Sequence, residues 1–222
     1  ALAGAYAGVR TLLALWRAPR RLGEVVAERR VRRAGQKLTR GLIHMAEGDW
    51  SRGERLLAQS LRGTDAPLIH YLLAARAAQL QGSDGRRDDW LKLAYEEMPE
   101  AETAVLLTQA ELQLEHQEFE RALATLSSIQ EVHPNHPVAL ALVAKIYQAL
   151  EDWDRLIALL PQLGDARLDT PELGSIAAAA LKVYVGRQGL THDDLERVWS
   201  QLPARLRKTP RLIAIYALAL SG

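Results

Sequence analysis

The sequence predicts an all-α fold made of repeated antiparallel helix pairs, preceded by a basic N-terminal helix. Apolar residues recur three and four positions apart, as in Leu140, Val143, Ile146 and Leu150, which is the spacing of an amphipathic or buried helix. Related turn segments also recur along the chain, and such internal repetition is typical of repeat architectures.

Short segments that carry capping residues or proline separate the predicted helices. Asp65, Asn135 and Thr170 each place a capping side chain just before a proline, and Thr191 with Asp194 resembles a capping box. About eleven helices follow from this punctuation. In chain order they are 34–47, 50–62, 67–81, 86–98, 100–115, 118–131, 136–150, 152–163, 170–186, 191–202 and 208–221.

Four turn segments align with one another. Trp50 and Phe119 are 69 residues apart and Phe119 and Trp153 are 34 apart, which indicates a period near 34 with a small irregularity in the second unit. The segments are AEGDWSRGERLL (46–57), LQGSDGRRDDWL (80–91), LEHQEFERALATL (114–126) and LEDWDRLIALL (150–160).

These turns resemble those of tetratricopeptide repeats, in which an aromatic residue follows the turn and a small residue, here Gly53 or Ala122, follows three positions later. The tryptophan and glycine usual early in the first helix are not recognisable. The predicted fold is therefore a tetratricopeptide-like right-handed α-solenoid with a concave groove, in which each unit buries its apolar face against its neighbours. We expect Trp50 and Trp153 to be largely buried at equivalent places.

Positive charge is concentrated at the N-terminal end. Residues 1–40 contain ten Lys or Arg and two Glu, whereas residues 41–222 contain eighteen basic and twenty-five acidic residues. This asymmetry divides the chain into a basic arm, residues 1–33, and a repeat domain, residues 34–222. The sequence has no cysteine, which excludes disulfides, thiolate zinc sites, cysteine nucleophiles and c-type haem attachment.

The basic arm and four later segments, in this order, resemble the HemY family of proteobacterial inner-membrane proteins. The segments are AEGDW (46–50), YLLAARAAQ (71–79), YQALEDWDRLIALLPQL (147–163) and LERVWSQLPARLRKTPRL (195–212). The resemblance implies two N-terminal transmembrane helices, a basic juxtamembrane stretch, a repeat domain and an association with a late stage of protohaem synthesis. Relative to that pattern, the chain is expected to be a piece that lacks the first transmembrane helix, most of the second and the last repeats. The family supplies no catalytic residues.

With this resemblance, the arm is interpreted as a membrane flank. Residues 1–16 are too short and too charged to span a bilayer alone, and an interfacial tryptophan followed by arginines is typical of the cytoplasmic end of a membrane helix. The flanking residues are Trp16, Arg17, Arg20, Arg21, Arg29, Arg30, Arg32 and Arg33. They are expected to meet anionic lipid, and the apolar face beside them could support homo-oligomers. An ordinary solvated helix is the alternative, and nucleic-acid binding is disfavoured because base-reading motifs are missing.

The search for chemical sites predicts binding rather than catalysis. His133 and His136 are interpreted as part of a surface turn, and His70 and Tyr71 as packing or groove-lining residues rather than haem ligands. No metal site, cofactor or catalytic constellation is predicted. The candidate groove residues, placed by alignment on the turn aromatics, are Arg76, Gln79, Glu111, Glu115, Lys145 and Gln148.

The expected function is that of a non-enzymatic scaffold, tethered to the bacterial inner membrane with its repeat domain on the cytoplasmic side. Its expected partners are proteins, including enzymes of haem synthesis. Two alternatives remain open: a carrier that binds porphyrin or haem directly, and an envelope-assembly scaffold unrelated to haem. Repeats imply binding but do not name a ligand.

Overall fold

A computed structural model describes residues 28–165, 171–187 and 190–221, and in these ranges the chain is helical and contains no β-strand. The all-α prediction is therefore confirmed. Helix α1 is described from residue 28 to residue 46. The others are α2 (Trp50–Ser60), α3 (Pro67–Leu80), α4 (Asp84–Glu97), α5 (Glu102–Glu115), α6 (Phe119–Val132), α7 (Pro137–Ala149), α8 (Trp153–Asp165), α9 (Pro171–Val185), α10 (His192–Gln201), α11 (Ala204–Arg207) and α12 (Pro210–Ser221).

The predicted helix bounds agree with the structure within a few residues, with two differences. Helix α1 runs without a break across the predicted boundary between residues 33 and 34. The short helix α11 was not predicted, because its four residues are too few to show a helical period. Of the predicted membrane flank, Trp16, Arg17, Arg20 and Arg21 lie outside the described residues.

The turns inside the first four helix pairs share one backbone conformation. Gly48, Gly82, Gln117 and Glu151 all have positive φ, at 82°, 70°, 61° and 55°. Their separations are 34, 35 and 34 residues, so the period near 34 is confirmed, and the small irregularity is one extra residue between the second and third turns. In the second pair, Asp84 occupies the position of Trp50, and Trp90 lies six residues further along α4.

A small, buried residue lies seven positions before each of these left-handed turns. The four residues are Gly41, Ala75, Ala110 and Ala144. The early glycine expected of a tetratricopeptide repeat is thus present in the first pair and replaced by alanine in the other three. This position was not recognised in the sequence because three of its four residues are alanine, which is common in helices.

Gly41 faces a second glycine across the first helix pair. A Cβ atom added to Gly53 would lie 2.7 Å from the Cγ of Met45 and 3.2 Å from the carbonyl oxygen of Gly41. A Cβ on Gly41 would lie 3.2 Å from the Cγ of Leu57. Glycine at both positions therefore permits the backbones of α1 and α2 to approach closely. Ala122 in α6 is also fully buried.

Trp50 and Trp153 are equivalent in position, since each is the first residue of the second helix in its pair. The prediction that both are largely buried is wrong: Trp50 is 36% exposed, and Trp153 is half-buried. The first turn of the second helix lies at one end of the helix pair. A ring at this end contacts the protein through part of its surface, and the rest of the ring is exposed.

The chain divides into two compact units, an N-terminal unit (Ala1–Val105) and a C-terminal unit (Leu106–Gly222). In the N-terminal unit, α3 packs against α2 and α4, and its core includes Leu57, Ala74 and Leu91. In the C-terminal unit, α7 packs against α6 and α8, and α9 packs against α7, α8 and α12. The core of the C-terminal unit includes Leu140 and Leu181.

Candidate functional site

The described part of the basic arm forms an exposed cationic face on α1. Arg29, Arg30, Arg32 and Arg33 are all exposed, and none forms an ion pair with another described residue. Their charge therefore remains available to an anionic surface.

Three of the six predicted groove residues occupy one position of the repeat. Arg76, Glu111 and Lys145 each directly follow the small buried residue of their first helix, so they are equivalent in register. Arg76 is exposed, and the other two are half-buried. The side chain at this position is basic in α3, acidic in α5 and basic in α7, which is the kind of charge alternation that can select a partner.

Glu115 and Gln148 lie near the C-terminal ends of α5 and α7, and both are exposed. Their exposure is compatible with the predicted contact role, which stays a prediction.

Gln79 differs from the other five because it is buried. It is only 3% exposed, and its Oε1 accepts a hydrogen bond from Arg87 Nη1 at 3.1 Å. Its amide is used inside the protein, so we do not include it among the contact residues. Gln79 was predicted to face the groove, and no sequence signal indicated that a buried arginine would bind it.

Arg87 lies at the position of α4 that corresponds to Gly53 in α2 and Ala122 in α6. It is fully buried, and its Nε donates to Asp88 Oδ1 at 2.9 Å. Its Nη1 also lies 3.5 Å from Asp84 Oδ1. A charged side chain thus occupies a place where α2 and α6 carry a small residue, and it is stabilised by hydrogen bonds to Gln79 and two carboxylates.

A second polar network, also missed in the sequence, joins α2 to α4. Glu54 is almost completely buried, and its carboxylate accepts hydrogen bonds from Trp90 Nε1 at 2.9 Å and Gln81 Nε2 at 2.6 Å. Arg86 Nη1 lies 3.6 Å from the same carboxylate. Because charge-assisted bonds of this kind are directional, Glu54 holds Trp90 in one orientation. Trp90 is therefore a packing residue, whereas the sequence placed it in a turn segment.

His70 is 2% exposed, and both of its ring nitrogens have partners. Ser60 Oγ, which donates to the carbonyl oxygen of Leu57, lies 2.5 Å from Nδ1, and Thr64 Oγ1 lies 3.0 Å from Nε2. We assign a neutral ring in which Nδ1 donates to Ser60 and Nε2 accepts from Thr64. Neither nitrogen is available to a haem iron in this conformation, which agrees with the interpretation of His70 as a packing residue.

Burial lowers the pKa of His70 below its ordinary value because the imidazolium form loses solvation. At a pH between the folded and unfolded pKa values, the His70 ring is therefore protonated in the unfolded chain and neutral in the folded chain. The contribution of His70 to stability is present above the ordinary histidine pKa of about 6.5 and is lost as the pH falls below it. We expect the free energy of unfolding to decrease between about pH 7 and pH 5.

The measurement is urea unfolding, followed by circular dichroism, of the wild type and of His70→Gln across this pH range. Glutamine retains one donor and one acceptor but does not titrate, so the variant should lose part of the pH dependence. His192→Gln, which removes an exposed imidazole, controls for the loss of one histidine. An unchanged pH dependence in His70→Gln would contradict the assignment of the neutral ring.

His133 and His136 lie in the turn before α7, as predicted. His136 is the N-cap residue, and its Nδ1 accepts a hydrogen bond from the backbone N–H of Ala139. His133 is exposed, and the two ring centroids are 6.4 Å apart. His136 thus caps the N-terminus of α7, and His133 lies in the turn that leads to it.

Every helix within the described residues is too short or too polar to cross a lipid bilayer.

Comparison with known proteins identifies the family. Residues 1–82 match the sequence model of the HemY protein N-terminus. The chain is 32% identical over 187 residues to Protein HemY of Escherichia coli strain K12 and to Protein HemY of Shigella flexneri. These matches cover 84% of the chain and 47% of each relative, so the chain spans about half the length of the curated relatives it matches.

A solved structure supports the fold. The crystal structure of a tetratricopeptide repeat protein from Parabacteroides merdae superposes with a TM-score of 0.54 at 16% identity, covering 86% of this chain and 77% of that one. At this identity, the likeness concerns the fold alone. The regular left-handed turns, the small residues before them and the sequence matches lead to one conclusion: the chain belongs to the HemY family and has a tetratricopeptide-like all-α fold.

Proposed function

We propose that this protein is a scaffold that binds other proteins through the first helices of its repeats. The observation that carries the proposal is the equivalent position of Arg76, Glu111 and Lys145, each beside a buried small residue that fixes its helix against the pair. A side chain on a packed helix keeps its direction, and this favours recognition of a partner with complementary charge.

In this proposal, the protein is not an enzyme and works at the cytoplasmic face of the bacterial inner membrane. The exposed arginines of α1 support attraction to anionic lipid. Membership of the HemY family supports partners among the enzymes of a late step of protohaem synthesis. Protein binding requires only an exposed helix surface, and the structure supplies such surfaces in α3, α5 and α7.

The test is crosslinking in cells followed by purification from membranes, with the wild type and a triple variant, Arg76→Glu, Glu111→Lys and Lys145→Glu. We expect the variant to lose the wild-type partners because like charges would then meet at the interface. The matched control makes the same charge changes at exposed residues of second helices, with Arg55→Glu, Lys92→Glu and Glu120→Lys. Loss of the same partners in both variants would contradict a role for the first helices.

The carrier alternative is separated by adding protoporphyrin or haem to the purified protein. A saturable Soret shift at one equivalent would favour a direct carrier. If the protein is a scaffold, we expect no such shift. The triple variant should then lose the wild-type partners whether or not porphyrin is present. Partners that belong to envelope assembly, with none from haem synthesis, would favour the remaining alternative.

A further inference from the structure

The N-terminal unit contains an open surface pocket between α1 and the segment after α2. Its volume is about 350 Å³, and it is lined by Arg30 and Val31 of α1 and by residues 61–65. None of the candidate groove residues lines this pocket. It is also distinct from the polar networks around Arg87 and Glu54.

Close backbone packing forms one wall of the pocket. A Cβ on Gly63 would lie 2.9 Å from both the carbonyl oxygen and the Cγ of Arg30, so only glycine lets the segment approach α1 this closely. Thr64 is held in place at the other side, where its Oγ1 accepts a hydrogen bond from the N–H of Ala66 and contacts the ring of His70. The pocket is therefore built by ordered backbone.

Two arginines, Arg30 and Arg62, line the pocket. Neither forms an ion pair with any described residue. Arginine pairs around a concave surface suit the oxygens of a phosphate group, because guanidinium donors bind two oxygens at once. Asp65 is the single carboxylate in the lining, so the two arginines leave the pocket with a net positive charge.

We propose that this pocket binds a phosphate group, with Arg30 and Arg62 as its ligands. The phosphate can belong to a soluble compound or to a lipid headgroup, and the two sources present the same chemistry to the arginines. This inference is independent of the protein partners in the proposed function.

The first experiment titrates the whole chain with inorganic phosphate and follows the amide signals of Gly63 and Thr64 by NMR. Saturable shifts are expected. Arg30→Gln or Arg62→Gln should weaken binding about tenfold, the effect of losing one charge-assisted hydrogen bond. Two matched controls, Arg40→Gln in α1 and Arg55→Gln in α2, remove an exposed arginine of the same charge outside the pocket and should change affinity by less than about twofold.

Asp65→Asn is expected to change the affinity for phosphate in the opposite direction to the arginine variants. Removing this carboxylate should tighten phosphate binding by about two- to fivefold, because a like charge near the anion is lost. Weaker binding in this variant, equal losses in all four arginine variants or the absence of saturation would each overturn the proposal. Thermal unfolding of every variant confirms that the fold is intact.

The second experiment separates the two sources. Flotation is measured with phosphatidylcholine vesicles that contain either phosphatidic acid, which exposes a phosphate monoester, or phosphatidylglycerol, which does not. Stronger binding to phosphatidic acid that requires Arg30 and Arg62 identifies a lipid headgroup as the ligand. Saturable binding of inorganic phosphate without this preference identifies a soluble phosphate compound, and either result supports the site.

Discussion

Replacing Arg87 with alanine is expected to lower the free energy of unfolding by about 2–5 kcal/mol, the largest single effect that we predict. Arg87 is fully buried, and its side chain fills space beside α3. Alanine would leave a cavity, and the buried amide oxygen of Gln79 would lose its donor. The carboxylates of Asp84 and Asp88 are partly exposed and can regain water, so they add little to the loss.

The neighbouring residue supplies the control. Arg86 is half-exposed, and Arg86→Ala should cost about 1 kcal/mol or less, because Glu54 keeps its hydrogen bonds from Trp90 and Gln81. Arg87→Met, which keeps the volume without the charge, should cost less than alanine. Urea unfolding followed by circular dichroism measures all three. If Arg87→Ala were no more destabilising than Arg86→Ala, Arg87 would not have the structural role described above.

Replacing Gly53 with valine is expected to lower the free energy of unfolding by about 1–3 kcal/mol through overpacking. The added Cβ would lie 2.7 Å from Met45 Cγ and 3.2 Å from the carbonyl oxygen of Gly41, and these contacts force α1 and α2 apart. The carbonyl oxygen belongs to the backbone and cannot move without shifting the helix.

Gly85→Val is the matched control, because Gly85 is also helical and a Cβ there meets no atom within 4 Å. This change should be nearly neutral, since valine and glycine differ by only a few tenths of a kcal/mol in helix propensity. Met45→Ala in the Gly53→Val background should recover part of the lost stability. Equal unfolding midpoints for the two valine variants would contradict the close approach at Gly53.

The helical class and the period could be predicted because they are properties of spacing, and spacing survives extensive substitution. The phase of the repeat in the second pair could be read from the turn segment, which aligns Gly82 with Gly48. Asp84 stands there in place of an aromatic residue, so the aromatic signal is missing from this pair. The small residues Ala75, Ala110 and Ala144 mark the same phase, but alanine is common in helices and carries little signal alone.

The candidate contact positions were predictable only where packing follows the repeat. Arg76 and Lys145 follow a buried alanine, and their position in the helix determines their direction. The prediction for Gln79 was wrong because Arg87 takes the place of a small residue and donates a hydrogen bond to the amide oxygen of Gln79. The pocket beside Gly63 was not predictable either, since Arg30 and Arg62 are brought together by tertiary packing rather than by sequence distance.

The left-handed turns show where local and tertiary preferences conflict. Gly48 and Gly82 adopt positive φ at no steric cost, whereas Gln117 and Glu151 adopt it against a penalty of roughly 1–2 kcal/mol. In the vocabulary of energy landscapes, the two turns of the C-terminal unit are locally frustrated. There, the turn conformation is imposed by the docking of the two helices. Those turns are therefore expected to close only as the helices dock, whereas the glycine turns of the N-terminal unit can form beforehand.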